Sequence, residues 1–318
     1  MKYASRFIRT VQAREESAVH NATWITARVL SLRAGASKPS SLPSRRARTS
    51  VPQLTSRLAR LAVTSLYDEL ALYPKPGLVS LHDFGAHTDM NAGTFLRSLF
   101  ALRSYFREIA EAGVRKAHFG ELKALGVAAE ARMLRATAGI NTHRGAIFSL
   151  GFICASTALV LSRRQSPVDD ALRNAMRPWL RELEIDRDTD AATMARSSGV
   201  QSHGYLAGIR HGVTGARGEA LMAFPSVFEH ALPALRTALA CGASMQQARL
   251  HALFTLLACV ADTNVLYRGG REGMDIVRAG AADILARGSV FSACWMANAI
   301  KLHRRCSMLG LSPGGCAD

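Results

Sequence analysis

The residues equipped for chemistry stand in short polar clusters between long apolar stretches. The first cluster is Pro74-Lys75-Pro76-Gly77-Leu78-Val79, followed by Gly85-Ala86-His87-Thr88-Asp89-Met90. Two prolines hold Lys75 in an extended segment, and a fixed ammonium suits a phosphate contact. Gly77 permits a tight turn there. His87 and Asp89 can converge as a base or as metal ligands. Asp89 is equally placed to cap the next helix, and His87 to make a structural hydrogen bond.

The second cluster, Asn141-Thr142-His143-Arg144-Gly145-Ala146-Ile147-Phe148, opens the most apolar stretch of the chain. Free N–H groups at a helix start, with Arg144 beside them, make an anion site. Asn141 or Thr142 could instead be an ordinary cap. Glu130 lies on the face of the preceding helix that leads to this region. The third cluster, Gly215-Ala216-Arg217-Gly218-Glu219-Ala220, follows His203-Gly204. Arg217 and Glu219 read as a phosphate clamp and a carboxylate, or as a surface turn with a local ion pair. The fourth is Asp262-Thr263-Asn264-Val265-Leu266-Tyr267-Arg268-Gly269-Gly270-Arg271. Backbone approach at Gly269 and Gly270 between two guanidinium groups suits polyphosphate, and Asp262 could hold Mg²⁺. A helix-terminating turn explains the same residues. The last, Ser312-Pro313-Gly314-Gly315-Cys316-Ala317-Asp318, reads as a glycine turn with little information. The chain has no Walker A sequence, no G-x-G-x-x-G after a strand and no nucleophile elbow, so the ordinary ATP-binding folds are not indicated.

Helices must position these clusters. Apolar residues make up 48% of the chain and aromatics only 7%, with few alternating β-branched runs, which predicts an all-α fold. Leu58, Leu61, Ala62, Ser65 and Leu66 follow a helical period, and Glu69 continues that face, an odd place for an acid unless it points into a site. The fold is expected to begin near Thr55, with further helices near 90–111, 118–138, 144–162, 168–184, 226–240, 245–260, 271–287 and 290–308. We expect one multi-helix domain over 57–318 with its active site built from inter-helix loops.

Residues 1–56 form an Arg/Ser-rich basic tail, expected to be disordered or not part of the fold. They hold ten Lys/Arg and two acids, hence +8 of the net +16. The remainder is only moderately basic, which suits an anionic ligand and gives no stripe of the kind nucleic acid needs. The uncharged run 145–161 is short for a membrane span and is expected to be a buried core helix. No two of the six cysteines have C-x-x-C spacing, so no zinc site is expected and a reduced, cytoplasmic protein is the simplest reading.

Taken together, the clusters resemble the triphosphoribosyl-dephospho-CoA synthase family. The resemblance rests on Glu69, Pro74 to Val79, Gly85 to Met90, Glu130, Asn141 to Phe148, Ser202 to Gly204, Gly215 to Ala220, Asp262 to Asn264, Arg268 to Gly270, and Ser312 to Asp318, in that order. Tyr267, Ala223 and Cys316 stand where the family pattern has His, Gly and Ser. Members of the family run on past the position of Asp318, so a last helix is expected to be missing. Ser80 is closer to the malonate decarboxylase branch than to the citrate lyase branch. The resemblance implies transfer of the triphosphoribosyl group of ATP to 3′-dephospho-CoA with release of adenine. It implies His87, Asp89 and Glu219 as catalytic residues, and Glu69, Glu130 and Asp262 as Mg²⁺ ligands. Lys75, Asn141, Thr142, His143, Arg144, Arg217, Asn264, Arg268, Gly269 and Gly270 become the substrate contacts. The implied partners are a downstream transferase and the acyl-carrier subunit of a decarboxylase or lyase, with no nucleic acid and no membrane. A non-catalytic protein that delivers dephospho-CoA is the competing reading.

Overall fold

The computed structural model describes residues 50–194 and 210–318. Most of the basic tail and the Ser202 to Gly204 segment lie outside the described residues. Among the described residues the secondary structure is entirely helical. In chain order the helices are α1 (Val51–Ala71), α2 (Ala92–Ala101), α3 (Arg103–Arg115), α4 (Phe119–Ala136), α5 (Arg144–Ser162) and α6 (Asp169–Met194). They continue with α7 (Gly215–Leu221), α8 (Leu232–Ala240), α9 (Met245–Cys259), α10 (Thr263–Ala286), α11 (Trp295–Met308) and α12 (Gly314–Ala317).

Helix α1 opens ahead of Thr55. Ser50 and Gln53 form a reciprocal capping box, and Pro52 sits in the first turn, where a missing N–H costs nothing. Its buried stripe, Leu58, Ala62, Leu66 and Leu70, leaves Glu69 beside the core at the end of the helix. Helix α5 runs over 144–162, apolar on all sides and buried along most of its length, as a central helix must be. It passes the length and composition test for a membrane span, but here it is the centre of the first core.

That first core gathers α1 to α6 around α5, with Tyr105, Phe106, Ile109, Phe152, Met176 and Trp179. A second core is built on α9, α10 and α11 from Leu250, Phe254, Leu257, Val265, Val277 and Leu302. Leu72, Leu78 and Leu311 belong to the second core although they come from loops. The polar clusters are thereby pinned to apolar packing on either side.

Several elements differ from the sequence expectation: α6 runs on to Met194 rather than ending near 184, and the helix expected over 290–308 is split into a 3₁₀ turn, Ser289–Phe291, and α11. The helix expected over 90–111 bends at Leu102, whose N–H is shared between the carbonyls of Ser98 and Leu99. The helix expected over 226–240 starts with a π turn, Ser226–Ala231, in which the Leu232 N–H reaches Val227, just before Pro233 removes a donor. The Gly215 cluster is not a loop but helix α7. The Gly269-Gly270 segment is not a loop either: α10 runs through it, with a kink where Gly270 takes φ 61° and ψ −156°.

Candidate active site in the inter-helix loops

Lys75 leads from the end of α1 into the site. It is 1% exposed, and its ammonium donates to the Glu69 carbonyl at 2.7 Å and to the Glu69 carboxylate. The segment around it is clamped from the other end of the chain. Gly77, at φ 65°, lies against the Leu311 carbonyl so closely that a Cβ would stand 1.9 Å from that oxygen. His303 on α11 bridges the Lys75 carbonyl (2.5 Å) and the Asp83 carboxylate (2.9 Å).

His87 and Asp89 do converge. Their side chains approach to 3.4 Å, and His87 Nε2 lies 2.8 Å from the Ser312 hydroxyl. Asp89 is not the cap of α2; Asn91 takes that role with Thr94. Arg268 reaches His87 Nδ1 and the carbonyls of Ala86 and Gly310, each at 3.3 Å. Burial and the Arg268 charge lower the pKa of His87, and Asp89 opposes them. The result is an uncharged imidazole at the rim of the site, next to an exposed carboxylate.

Asp262 is 2% exposed and is the N-cap of α10. One carboxylate oxygen accepts from the N–H groups of Asn264 (2.8 Å) and Val265 (3.1 Å), the other from the N–H of Cys316 (2.8 Å). Burial raises its pKa and these three donors pull it back. Asp262 thus ties α10 to α12. Asn264 lies beside Gly314, and Gly269 packs on Leu311, where a Cβ would stand 2.4 Å from a methyl group. Gly269 is therefore a packing position, and the space is open only at Gly270.

At the start of α5, Asn141 accepts the N–H of Arg144 at 3.2 Å, and the Arg144 guanidinium pairs with Glu130. His143 is 3% exposed. Its Nδ1 lies 2.6 Å from the Ser98 hydroxyl, Phe95 packs edge-on at 5.0 Å, and its N–H points at Met133 Sδ. Burial, then the Lys75 charge, lowers its pKa from 6.5 to about 4. His143 Nε2 and Thr142 Oγ1 are buried and have no hydrogen-bond partner among the described residues.

Asp318 carries a message that its position in a glycine turn concealed. Its carboxylate lies over Gly145, where a Cβ would stand 2.2 Å from Oδ2, and it accepts the N–H of Ala146. It supplies from a distance the cap that His143 does not give its own helix. As a whole residue it is exposed, but the carboxylate is turned inward. Burial, then Glu69 and Asp262, raises its pKa to about 8.

Elsewhere the clusters are engaged otherwise. Glu219 accepts the N–H and hydroxyl of Ser226 at 3.1 and 2.7 Å, within electrostatic reach of the buried Cys316 thiol. Arg217 is exposed on α7. Glu69, Glu130 and Asp262 do not form one ligand set: Glu69 holds Lys75, Glu130 holds Arg144, and Asp262 is filled by backbone donors. Among the described residues, no group of three or more His, Cys, Asp or Glu side chains is placed to hold a metal. A cleft of about 470 Å³ between α6 and α7, lined by Arg173, Arg177 and Arg181, contains none of the cluster residues.

Fold and site together define an all-α protein whose polar centre is assembled from loops at the junction of two cores. The chain belongs to the CitG family, described as ATP:dephospho-CoA triphosphoribosyl transferase, whose model matches residues 55–318. It is similar to a probable 2-(5''-triphosphoribosyl)-3'-dephosphocoenzyme-A synthase of Pseudomonas aeruginosa, 40% identical over 82% of this chain and 86% of the relative. A 2-(5''-triphosphoribosyl)-3'-dephosphocoenzyme-A synthase of Pectobacterium atrosepticum is 35% identical over 86% and 88%. No solved structure matches the chain.

Proposed function

We propose that this chain transfers the 5-triphosphoribosyl group of ATP to the 2′-hydroxyl of 3′-dephospho-CoA and releases adenine. The observation that carries the reading is the convergence of the family's separated motifs: Leu311 lies on Gly77, Ser312 on His87, Cys316 on Asp262 and Asp318 on Gly145. The reaction is glycosyl transfer, in which the C1′–N9 bond breaks and a C1′–O2′ bond forms. It requires a base for the attacking hydroxyl, stabilisation of an oxocarbenium-like sugar, and help for the departing base.

His87, oriented by Asp89, is the base on this reading; each such acid–base role is worth about 10²–10⁴ in rate. The Glu69 carboxylate faces the sugar as positive charge develops on it, with the Asp318 carboxyl, held mainly as the neutral acid by burial, beside it. Arg268 and Arg144 stand toward the triphosphate. Glu219 and Asp262 hold the Ser226 turn and the 314–318 segment in place. With Glu69, Glu130 and Asp262 each otherwise engaged, Mg²⁺ would arrive with the ATP phosphates and supply charge neutralisation there.

The product serves, in this proposal, as precursor of the prosthetic group of the acyl-carrier subunit of malonate decarboxylase, handed on by a downstream transferase. The branch assignment rests on Ser80, whose hydroxyl accepts the N–H groups of His82 and Asp83 within its own loop. Citrate lyase is the alternative destination. We place the protein in the cytoplasm, on the strength of its six free cysteines, three of them buried.

The test is direct. Purified protein with ATP, Mg²⁺ and dephospho-CoA should release adenine and yield a product heavier by one triphosphoribosyl group. Ligand binding without adenine release would select a delivery protein instead.

A further inference from the structure

A buried ring nitrogen without a partner costs about 1–3 kcal/mol, so its retention needs a reason. Among the described residues His143 Nε2 is such an atom, 3% exposed as a residue and located where α5 begins. The ring cannot turn away to find water. Ser98, fully buried on α2, holds Nδ1; Phe95 packs against the ring edge-on; and the backbone N–H is fixed on Met133.

The direction of the Ser98 contact follows from counting. The Ser98 hydroxyl has one hydrogen-bond partner among the described residues, His143 Nδ1. If the hydroxyl donates, only Nε2–H is left unpaired. If Nδ1–H donates instead, both the hydroxyl proton and the Nε2 lone pair are orphaned. The first arrangement wins by one unsatisfied group, which leaves the ring proton on Nε2. Burial and Lys75 keep the ring neutral. A neutral imidazole at a helix N-terminus acting as hydrogen-bond donor is a known device for stabilising developing negative charge.

Its surroundings decide which acceptor it meets. Lys75 is near enough to depress the ring's basicity, and Lys75 is held by Glu69. Asp318, which senses Glu69, lies two residues on, over Gly145. Glu69 is ion-paired with Lys75, and burial favours the neutral acid of Asp318, so this neighbourhood carries little net charge and suits the uncharged purine end of ATP, joined to the sugar. The atom that becomes electron-rich there is the purine nitrogen it loses.

We propose that Ser98 is a positioning residue that fixes His143 as the Nε2–H tautomer, and that Nε2–H donates a hydrogen bond to the departing adenine. This rests on the function proposed above. His143 does not give up its proton. As the C1′–N9 electron pair moves onto the purine, the hydrogen bond strengthens. His87 takes the proton of the attacking 2′-hydroxyl and passes it to solvent, from which the departed adenine gains one, so the overall reaction balances.

The experiment compares ATP with 7-methyl-ATP, whose cationic purine leaves without help. In His143→Asn, the side-chain amide takes the place of Nδ1 beside Ser98 and removes Nε2. Ser98→Ala frees the tautomer, and Ser98→Thr restores the hydroxyl. With ATP, His143→Asn should lower kcat by about 10²-fold, the usual cost of one preorganised donor. Ser98→Ala should fall in the same direction, and Ser98→Thr should recover most of the loss. With 7-methyl-ATP the defects should shrink to within about threefold of wild type. An equal defect on both substrates would show a structural or phosphate-binding role and overturn the proposal. Nitrogen NMR of the His143 ring in the wild type reads the tautomer without any turnover; a proton on Nδ1 would overturn it as well. Wild-type protein that releases no adenine, yet shows the Nε2–H tautomer, would sink the proposed function and with it the leaving-group role, leaving only the Ser98 tautomer lock standing.

Discussion

Helices α5 and α10 both begin inside the loop cluster, but their first turns are finished differently. Helix α10 is closed by its own residue: Asp262 satisfies Asn264, Val265 and, across the chain, Cys316. Helix α5 has His143 at the equivalent place, which caps nothing. Its N–H groups are served by Asn141 and Asp318, while His143 Nε2 and Thr142 Oγ1 stay unpaired among the described residues. A helix start with every polar atom satisfied is construction; one with buried atoms left over calls for an explanation, which a bound ligand would supply. Sequence alone gave both starts the same reading as anion or metal sites, because both are polar clusters opening apolar helices.

The difference is open to measurement. The largest effect should come from Asp262→Ala, which orphans three backbone donors at about 1–3 kcal/mol each. We expect a loss of at least about 3 kcal/mol in chemical denaturation. Near-wild-type stability would remove Asp262 from its structural role.

Next comes pH. His143 is buried neutral, with its pKa lowered from 6.5 to about 4. Between these values the unfolded chain binds a proton that the folded one refuses. Stability from this group is therefore complete above pH 6.5 and is lost as pH falls toward 4, by about 3 kcal/mol at roughly 1.4 kcal/mol per unit. His143→Asn should flatten that part of the profile. Denaturation curves at pH 7 and pH 4.5, for both proteins, test it.

A smaller effect is expected for Asn141→Ala, which removes an exposed cap and should cost about 1 kcal/mol in chemical denaturation. Smallest in stability is Gly145→Ala. The added methyl would meet the Asp318 carboxylate at 2.2 Å, while alanine favours the helix by about 0.5–1 kcal/mol. Loss of the displaced Asp318 cap roughly offsets that gain, so stability should change little while turnover drops. Unchanged turnover would mean that the placement of Asp318 does not matter.

Much of the fold could be read because α5 and the amphipathic helices around it declare themselves by period and by unbroken apolarity. The Gly269-Gly270 pair misled, because two adjacent glycines look like a loop. Here Gly269 gives Leu311 a smooth surface and Gly270 absorbs a kink, neither of which local sequence encodes. Lys75, His87, His143 and Asp262 were legible as polar residues in apolar company. Ser98 was not: it is a small residue inside an amphipathic helix, and its partner lies 45 positions away. Asp318 was passed over because its meaning depends on Gly145, a contact only the folded chain creates. The family pattern had one visible misfit that the structure explains. Ala223 stands where the pattern has Gly, and it takes φ 58°, a conformation glycine adopts freely and alanine does not.

The way Leu311 rests on Gly77 has a kinetic corollary. His87 and Ser312 are 225 positions apart, and both cores can condense from much nearer neighbours. Contacts that span most of a chain form late, since the loop they close must first be ordered. After dilution from denaturant, the helical signal should return first, and the capacity to release adenine should follow with a measurable lag.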